Sequence, residues 1–245
     1  MKQLVALMVS VLAAGAAHAK CEGLPSYDSF KKALVSARQA DNGGLNLEMW
    51  GTLVDRQGNV CMIAYTGEKV DSQWLGSRVI SAQKANTANA FSLKGLSLST
   101  ANLYSAVQPG GSLFGLQESN PVNTQVAYKG DAARYGSNKD PMVGEKVGGV
   151  NVFGGGLALY NAKGEIVGAL GVSGDTSCAD HAIAWRLRNT LELDYVPAGV
   201  SPQMNDNIIY DIKDGKSAAG FGHPACGGKE VELASTLPAS RSLKK

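Results

Sequence analysis

Apolar positions along this chain recur at two different spacings, and each spacing predicts a different secondary structure. In residues 26–40, an apolar residue returns every three or four positions, which predicts an amphipathic helix. Residues 73–91 repeat alanine at the same spacing and predict a second helix, whose small-residue face allows close packing. On that second helix, Arg78 and Lys84 lie away from the alanine face, and we expect both to be solvated.

Short apolar runs alternate with polar turns in two places, which predicts two β-hairpins. Each turn ends in a glycine, Gly58 or Gly164, that can take the positive φ needed at the exit of a short hairpin loop. Asn161 can close the second turn with its side chain. The predicted strands are residues 47–54 and 59–65 in the first hairpin, and 157–160 and 165–172 in the second.

The second hairpin leads through a glycine corner into a third predicted helix, at residues 177–194. Ser177 and Asp180 have the spacing of a capping box at the start of this helix. The corner and the helix start together present backbone N–H groups, which favour a carboxylate or a phosphate. The other interpretation is a well-capped helix with no ligand. Trp185 lies one turn after His181, where it could stack on a planar ligand or pack against the chain's end.

Residues 92–147 show the least regular pattern, with a short helix predicted at 99–107. Long irregular segments of this kind form lids and binding loops, or they cover the edge of a sheet. Near the end of the chain we predict one more strand at 207–212 and disorder from residue 234 onward.

The first 19 residues predict an export signal. Lys2 is followed by an apolar run too short to span a bilayer and by the cleavage pattern Ala-His-Ala at 17–19. We therefore predict a periplasmic or secreted protein with a signal at 1–19, a domain at 20–198 and an extension at 199–245. Removing the signal leaves a net charge of +1, and with no run of basic residues the chain is not expected to bind nucleic acid.

The four cysteines all follow the predicted signal, and an even number in an exported protein favours two disulfides. Of the three pairings, we favour Cys21–Cys61 and Cys178–Cys226, because each joins a peripheral segment to a central one. The second bridge would close a loop of about 48 residues, worth about 4 kcal/mol in the chain-entropy description. It would also hold the extension against the start of the third helix.

The mature chain has two histidines, His181 and His223, each three residues from a cysteine of the second predicted bridge. That bridge would bring both imidazoles together beside the corner, near Asp175 and Asp180. Three interpretations stand: axial ligation of haem iron or capture of another metal, a zinc held by two cysteines and two histidines, or local hydrogen bonding around a disulfide.

Several other chemistries lack support in the sequence. A nucleophilic Cys178 would need a free thiolate, which the even cysteine count opposes. Ser173 is not in a G-x-S-x-G elbow, and the chain has no phosphate loop, dinucleotide fingerprint or metalloprotease helix.

Two segments carry a family resemblance. GEIVGALGVSG at 164–174 and SAQKANTA at 81–88 resemble the GlcG/HbpS-like haem-binding family, over about residues 26–194. The resemblance implies an α/β (α+β) fold with an antiparallel sheet of about five strands and helices packed on it, similar to profilin and PAS domains. Members often form homo-oligomers, and several bind haem or have been linked to its degradation.

The resemblance also marks motif positions, which imply a ligand site; they are Lys84, Thr87, Ser173, Gly174 and Thr176. The chain departs from the family in the loop at 92–147, in the extension, and at 174–181, where GDTSCADH replaces a common Gly-Gly-Thr and Gln-Asp pattern. The expected function is exported binding, sequestration or degradation of haem or a similar planar molecule. The alternatives are a lyase or isomerase with His181 and His223 as acid and base, or a sensor or accessory module with a membrane partner.

Overall fold

A computed structural model describes residues 20–244, and the predicted export signal at 1–19 lies outside the described residues. A four-stranded antiparallel sheet forms the centre, and its strands are ordered β2-β1-β4-β3. The two predicted hairpins supply all four strands, which are β1 (Trp50–Asp55), β2 (Val60–Tyr65), β3 (Gly156–Tyr160) and β4 (Ile166–Ser173).

The prediction of a fifth strand at 207–212 is wrong. Only Ile212–Lys213 is extended in a ladder, as β5, and it pairs with β6 (Lys216–Ser217) in a separate small hairpin. The backbone N–H of Ile208 lies 2.8 Å from Asn207 Oδ1 and 3.1 Å from His181 Nε2 instead of pairing in a ladder. Side-chain acceptors therefore replace a strand partner here.

The three long predicted helices are all present, with shorter bounds than expected at two ends. The second begins four residues later than predicted, and the third ends before residue 194. The helices are α1 (Tyr27–Gln39), α2 (Ser77–Phe91), α3 (Leu116–Ser119), α4 (Thr124–Ala127), α5 (Ser177–Thr190) and α6 (Glu230–Thr236).

Helices cover both faces of the sheet. Leu53 and Leu170 point to the face that α1 and α5 cover, while their neighbours Val54 and Ala169 point to the face that α2 covers. Successive side chains of a strand face opposite ways, so this alternation gives the sheet two buried faces. The apolar stripe predicted for α1 is fully buried in the first of them.

Helix α2 approaches β4 very closely. A Cβ added to Gly171 would lie 1.9 Å from the backbone oxygen of Ser81, so no larger residue fits there without movement. The expectation that the cations of α2 are solvated is wrong. Lys84 and Arg78 are 2% and 3% exposed, and Arg78 donates to Asp140 over 2.9 Å. A helix packed this tightly can bury cations only where carboxylates meet them.

The turn chemistry is confirmed. Asn161 Oδ1 accepts hydrogen bonds from the backbone N–H groups of Lys163 and Glu165, and Gly164 has φ +73°. Gly58 closes the first hairpin with φ +81°.

The irregular segment at 92–147 covers a sheet edge. The backbone N–H of Val60 on the outer strand β2 donates to Glu145 O, and that of Gly144 donates to Val60 O, both over 2.8 Å. Ala127 and Met142 from this segment are fully buried against α2 and the sheet. The short helix expected at 99–107 is present as two 3-10 turns, Thr100–Leu103 and Ser105–Val107.

The end of the chain differs from the disorder predicted after residue 234. The indole N–H of Trp185 donates to Pro238 O over 2.8 Å, and the backbone N–H of Lys244 donates to Ala162 O over 2.9 Å. Arg241 also pairs with the buried carboxylate of Asp194. These partners lie far away in sequence, so the local pattern did not reveal them. Within residues 20–244, no helix has the length and apolar character needed to cross a bilayer.

Candidate functional site

The corner between β4 and α5 is fixed by backbone contacts and a cap. A Cβ on Gly174 would lie 2.3 Å from Glu48 O, so the corner needs glycine. The cap of α5 is Thr176, whose hydroxyl accepts from Ala179 N over 3.2 Å. The predicted capping box of Ser177 and Asp180 is therefore wrong, because helix α5 already begins at Ser177 and the Asp180 carboxylate turns inward.

Asp175 holds a neighbouring loop in place. Its Oδ1 accepts from the backbone N–H of Leu45 over 2.8 Å, and its Oδ2 accepts from that of Leu47 over 3.1 Å. The same carboxylate accepts from Thr176 N over 2.6 Å. With three donors already bound, Asp175 serves the packing of the loop before β1.

Asp180 and Lys84 form a buried ion pair under the corner. Lys84 Nζ lies 2.7 Å from Asp180 Oδ2 and 3.1 Å from Val172 O, and both side chains are almost fully buried. Asp180 Oδ1 accepts from Asp175 N over 3.0 Å. Burial raises the pKa of Asp180 to about 6, although the Lys84 charge and hydrogen bond oppose this. The pair places a titratable group beside the two histidines.

His181 lies on the buried side of α5 and has no solvent exposure. Its Nε2 lies 3.1 Å from Ile208 N and 3.2 Å from Asn207 Oδ1, so it either accepts from the first or donates to the second, and Nδ1 has no hydrogen-bond partner. Burial lowers the pKa of His181 to about 3, and His223 is close enough to contribute to this shift. The His181 ring packs against Trp185, with 5.9 Å between centroids, and the close approach of the two histidines stays a prediction.

His223 comes from the extension and is 2% exposed. Its Nδ1 lies 2.7 Å from Pro224 O, and since a carbonyl only accepts, Nδ1 carries the proton. The lone pair of Nε2 has no partner. Burial lowers the pKa of His223 to about 4, and the nearby Lys84 charge acts in the same direction. The ring packs against Tyr104, with 5.1 Å between centroids.

Both predicted disulfides are present, Cys21–Cys61 and Cys178–Cys226, and no cysteine in residues 20–244 is free. The zinc interpretation is therefore wrong for this state, because its two thiolates are joined to each other. The second bridge ties the extension to the start of α5, as expected.

Three other predicted site residues have structural partners. Thr87 donates to Gln83 O over 2.7 Å and accepts from Asn151 N over 2.9 Å, which fixes the segment before β3. Trp185 packs against the end of the chain, as one of its two interpretations held. Ser173 is 4% exposed and pairs with β1 in the ladder.

An open groove of about 860 Å³ lies next to His223. The groove is lined by Tyr104, which contacts the His223 ring, and by Pro224, whose carbonyl accepts the hydrogen bond from His223 Nδ1. Lys216 from the β5–β6 hairpin also lines the groove. The volume of the groove is within the usual range for sites that bind small molecules.

Sequence reasoning missed a second buried ion pair behind the histidines. Arg188 of α5 donates through both terminal nitrogens to Asp206 over 2.7 Å, and Ser97 donates to the same carboxylate over 2.6 Å. Asp206 belongs to the extension, so this bidentate pair fastens the extension to the domain. Tyr104 was also missed, because no sequence pattern connects it with His223.

Comparison with known proteins adds the family. A family model described as "Haem degrading protein HbpS-like" matches residues 31–187. The chain belongs to the HbpS-like family. The match includes most of α1, the four-stranded sheet and most of α5, so His181 lies inside it, whereas His223 and Cys226 lie beyond its end.

Three proteins illustrate what the chain is similar to. A 15.0 kDa protein from the dhaT-dhaS intergenic region of Citrobacter freundii is 29% identical over 153 residues, 62% of this chain and 82% of that protein. The haem complex of PduOC is 24% identical, with 68% of this chain and 94% of that chain covered and a TM-score of 0.47. A double mutant of HbpS from Streptomyces reticuli is 18% identical, with 76% and 99% covered and a TM-score of 0.47.

Proposed function

We propose that this protein binds haem, or a similar planar metal complex, with His223 Nε2 as the ligand of the metal. The observation that carries the proposal is the state of that ring: neutral, buried, and unpaired at Nε2. Membership of the haem-degrading HbpS-like family gives the class of ligand. Haem would supply a redox-active iron whose open coordination position accepts an imidazole nitrogen.

His223 has the hydrogen bonding of a metal ligand. Histidines that bind metals usually donate their other ring N–H to a carbonyl or carboxylate, which fixes the tautomer and orients the ring. His223 donates from Nδ1 to Pro224 O in this way. Its lowered pKa keeps the Nε2 lone pair free of a proton at neutral pH.

His181 fits the role of iron ligand less well than the sequence suggested. Its Nε2 is already engaged by Ile208 N or by Asn207 Oδ1 of the extension, whichever tautomer the ring adopts. We therefore assign His181 to holding the extension, together with the Arg188–Asp206 pair. The Asp206 and Arg188 charges act on His181, whereas the Lys84 charge acts on His223.

The groove beside Tyr104 offers a place for the planar part of the ligand. Its polar rim includes Lys216, whose ammonium group can pair with a carboxylate of the porphyrin. Because His223 is 2% exposed, we infer that Tyr104 or residues 222–226 must move for the iron to reach Nε2. Binding would then be slower than simple diffusion allows.

Two further parts of the proposal rest on the sequence. We infer that the protein is exported to the periplasm or beyond, because the two disulfides suit an oxidising compartment. We also infer that it forms a homo-oligomer, as members of the resembled family do. Light scattering of the hemin-loaded sample would give the mass of the assembly.

The test is titration of the purified protein with hemin, followed through the Soret band. We expect wild type to bind, His223→Ala to lose or shift the band, and His181→Asn to keep it. Circular dichroism of each variant checks that the fold is intact. Hemin binding to folded His223→Ala with an unchanged band would refute the ligand assignment. Absence of binding to wild type, with the bridges either intact or reduced, would refute the proposed function.

A further inference from the structure

The two disulfides lie in different chemical surroundings. Cys178 is the second residue of α5 and is 2% exposed, while its partner Cys226 is exposed on the loop before α6. Cys21 and Cys61 are each half-buried, and Cys61 lies within strand β2. In the Cys178–Cys226 bridge, an exposed cysteine is joined to a cysteine at a helix N-terminus. The Cys21–Cys61 bridge has neither feature.

This arrangement favours exchange with an external thiol. An attacking thiolate needs access to one sulfur, and the reaction is faster when the other sulfur leaves as a stable thiolate. Cys226 offers the access. The dipole at the start of α5 stabilises negative charge on Cys178, the second residue of that helix.

We propose that Cys178–Cys226 is a redox-active disulfide that exchanges with a dithiol, while Cys21–Cys61 is structural. The dithiol's thiolate attacks Cys226 Sγ, which forms a mixed disulfide and breaks the bond to Cys178 Sγ. Cys178 leaves as a thiolate and takes a proton from water. The second thiol of the reductant then attacks the reductant's first sulfur, which is bonded to Cys226 Sγ in the mixed disulfide. This step releases Cys226 as a thiol. Two electrons pass to the protein, and the reductant becomes a disulfide.

Two neighbouring groups modulate this reaction. The Ser177 hydroxyl lies 3.6 Å from Cys226 Sγ and can donate to it. The Glu230 carboxylate lies within 4.8 Å of both sulfurs and repels an approaching thiolate. Hydrogen bonds from Gly227 N and Gly228 N, over 2.8 and 2.7 Å, reduce that repulsion. Glu230→Gln removes the charge and should accelerate reduction.

Opening the bridge loosens the segment that carries His223. After reduction, the nearest remaining ties are the bonds from His223 N to Ile209 O, from Gly222 N to Ser217 Oγ and from Ser105 Oγ to Gly222 O, over 2.8, 2.9 and 2.6 Å. Residues 224–228 lose their covalent anchor to α5. The consequence for haem rests on the proposed function: the ligand should reach His223 faster in the reduced protein.

The first test measures which bridge is reduced. The folded protein is incubated with a dithiol such as dithiothreitol, free thiols are trapped by alkylation, and each cysteine is followed by mass spectrometry. We expect Cys178 and Cys226 to be labelled about tenfold faster than Cys21 and Cys61, since accessible bridges with a good leaving thiolate exchange first. Equal rates, or faster reduction of Cys21–Cys61, would overturn the proposal.

The second test measures opening without any haem. Hydrogen exchange is compared between wild type and the double variant Cys178→Ser and Cys226→Ser, with Cys21→Ser and Cys61→Ser as the matched control. Faster exchange at residues 220–228 should appear in the variant that lacks Cys178 and Cys226, and not in the variant that lacks Cys21 and Cys61. Unchanged exchange there would refute the release of His223. A failure of hemin to bind the oxidised or the reduced protein would count against the proposed function. It would not affect these two tests of the disulfide, because neither uses haem.

Discussion

Acidification from pH 7 to pH 5 should destabilise the protein through its two buried histidines. Burial holds the pKa of His181 at about 3 and that of His223 at about 4, against 6.5 in the unfolded chain. Both groups therefore remain neutral in the folded protein at pH 5, while the unfolded chain binds two more protons. Stability from a lowered histidine pKa is present above about pH 6.5 and declines as the pH falls toward the folded value.

The magnitude follows from the proton uptake. Each histidine contributes a loss of about 2 kcal/mol between pH 7 and pH 5. Asp180 acts in the opposite sense, because its folded pKa of about 6 lies above its unfolded value of 3.8. As the pH falls, Asp180 binds a proton in the folded protein before it does so in the unfolded chain. This raises the free energy of unfolding by about 1 kcal/mol over the same interval. The net loss is about 3 kcal/mol, a large part of the stability of an ordinary domain.

Urea unfolding at pH 7, 6 and 5, followed by tryptophan fluorescence with the bridges intact, measures this loss. The matched variant is the double substitution His181→Gln and His223→Gln, which has no titrating imidazole at either position. We expect its stability to rise slightly rather than fall between pH 7 and pH 5, because only Asp180 then titrates in that range. An equal pH slope in wild type and variant would refute the assignment to the histidines.

The remaining predictions concern packing and the buried ion pair. Gly171→Ala should cost more than about 3 kcal/mol or prevent folding, because its Cβ would enter the backbone of α2; Gly95→Ala, which meets nothing within 4 Å, is the control in the same urea assay. Lys84→Met should cost about 3–5 kcal/mol at pH 7 by leaving the Asp180 carboxylate unpaired, and less at pH 5, where Asp180 becomes protonated. Lys129→Met breaks an exposed pair and should cost much less than Lys84→Met, because exposed pairs contribute little; equal losses for the two lysines would contradict this reasoning.

Local patterns in the sequence were enough to predict the main helices, the hairpins and the two disulfides. The spacing of apolar residues predicts which faces of α1 and of the hairpin strands are buried. It can do so because the 3.6- and 2-residue periods are local properties of the chain. The turn at Asn161 and Gly164 could be predicted for the same reason, because the side chain bonds to its own turn. The two disulfides could be predicted because cysteine count and compartment restrict the choices.

Long-range packing places the buried charges and the two histidines. Lys84 is buried instead of solvated because Asp180, 96 positions along the chain, meets it beneath the corner. His181 and His223 differ in hydrogen bonding because Ile208 N and Asn207 Oδ1 meet one ring and Pro224 O orients the other. These partners are distant in sequence or lie in irregular backbone, where no period records a contact. Local pattern can therefore predict the elements of this protein, but the protonation and hydrogen bonding of its candidate site depend on how the extension folds back over them.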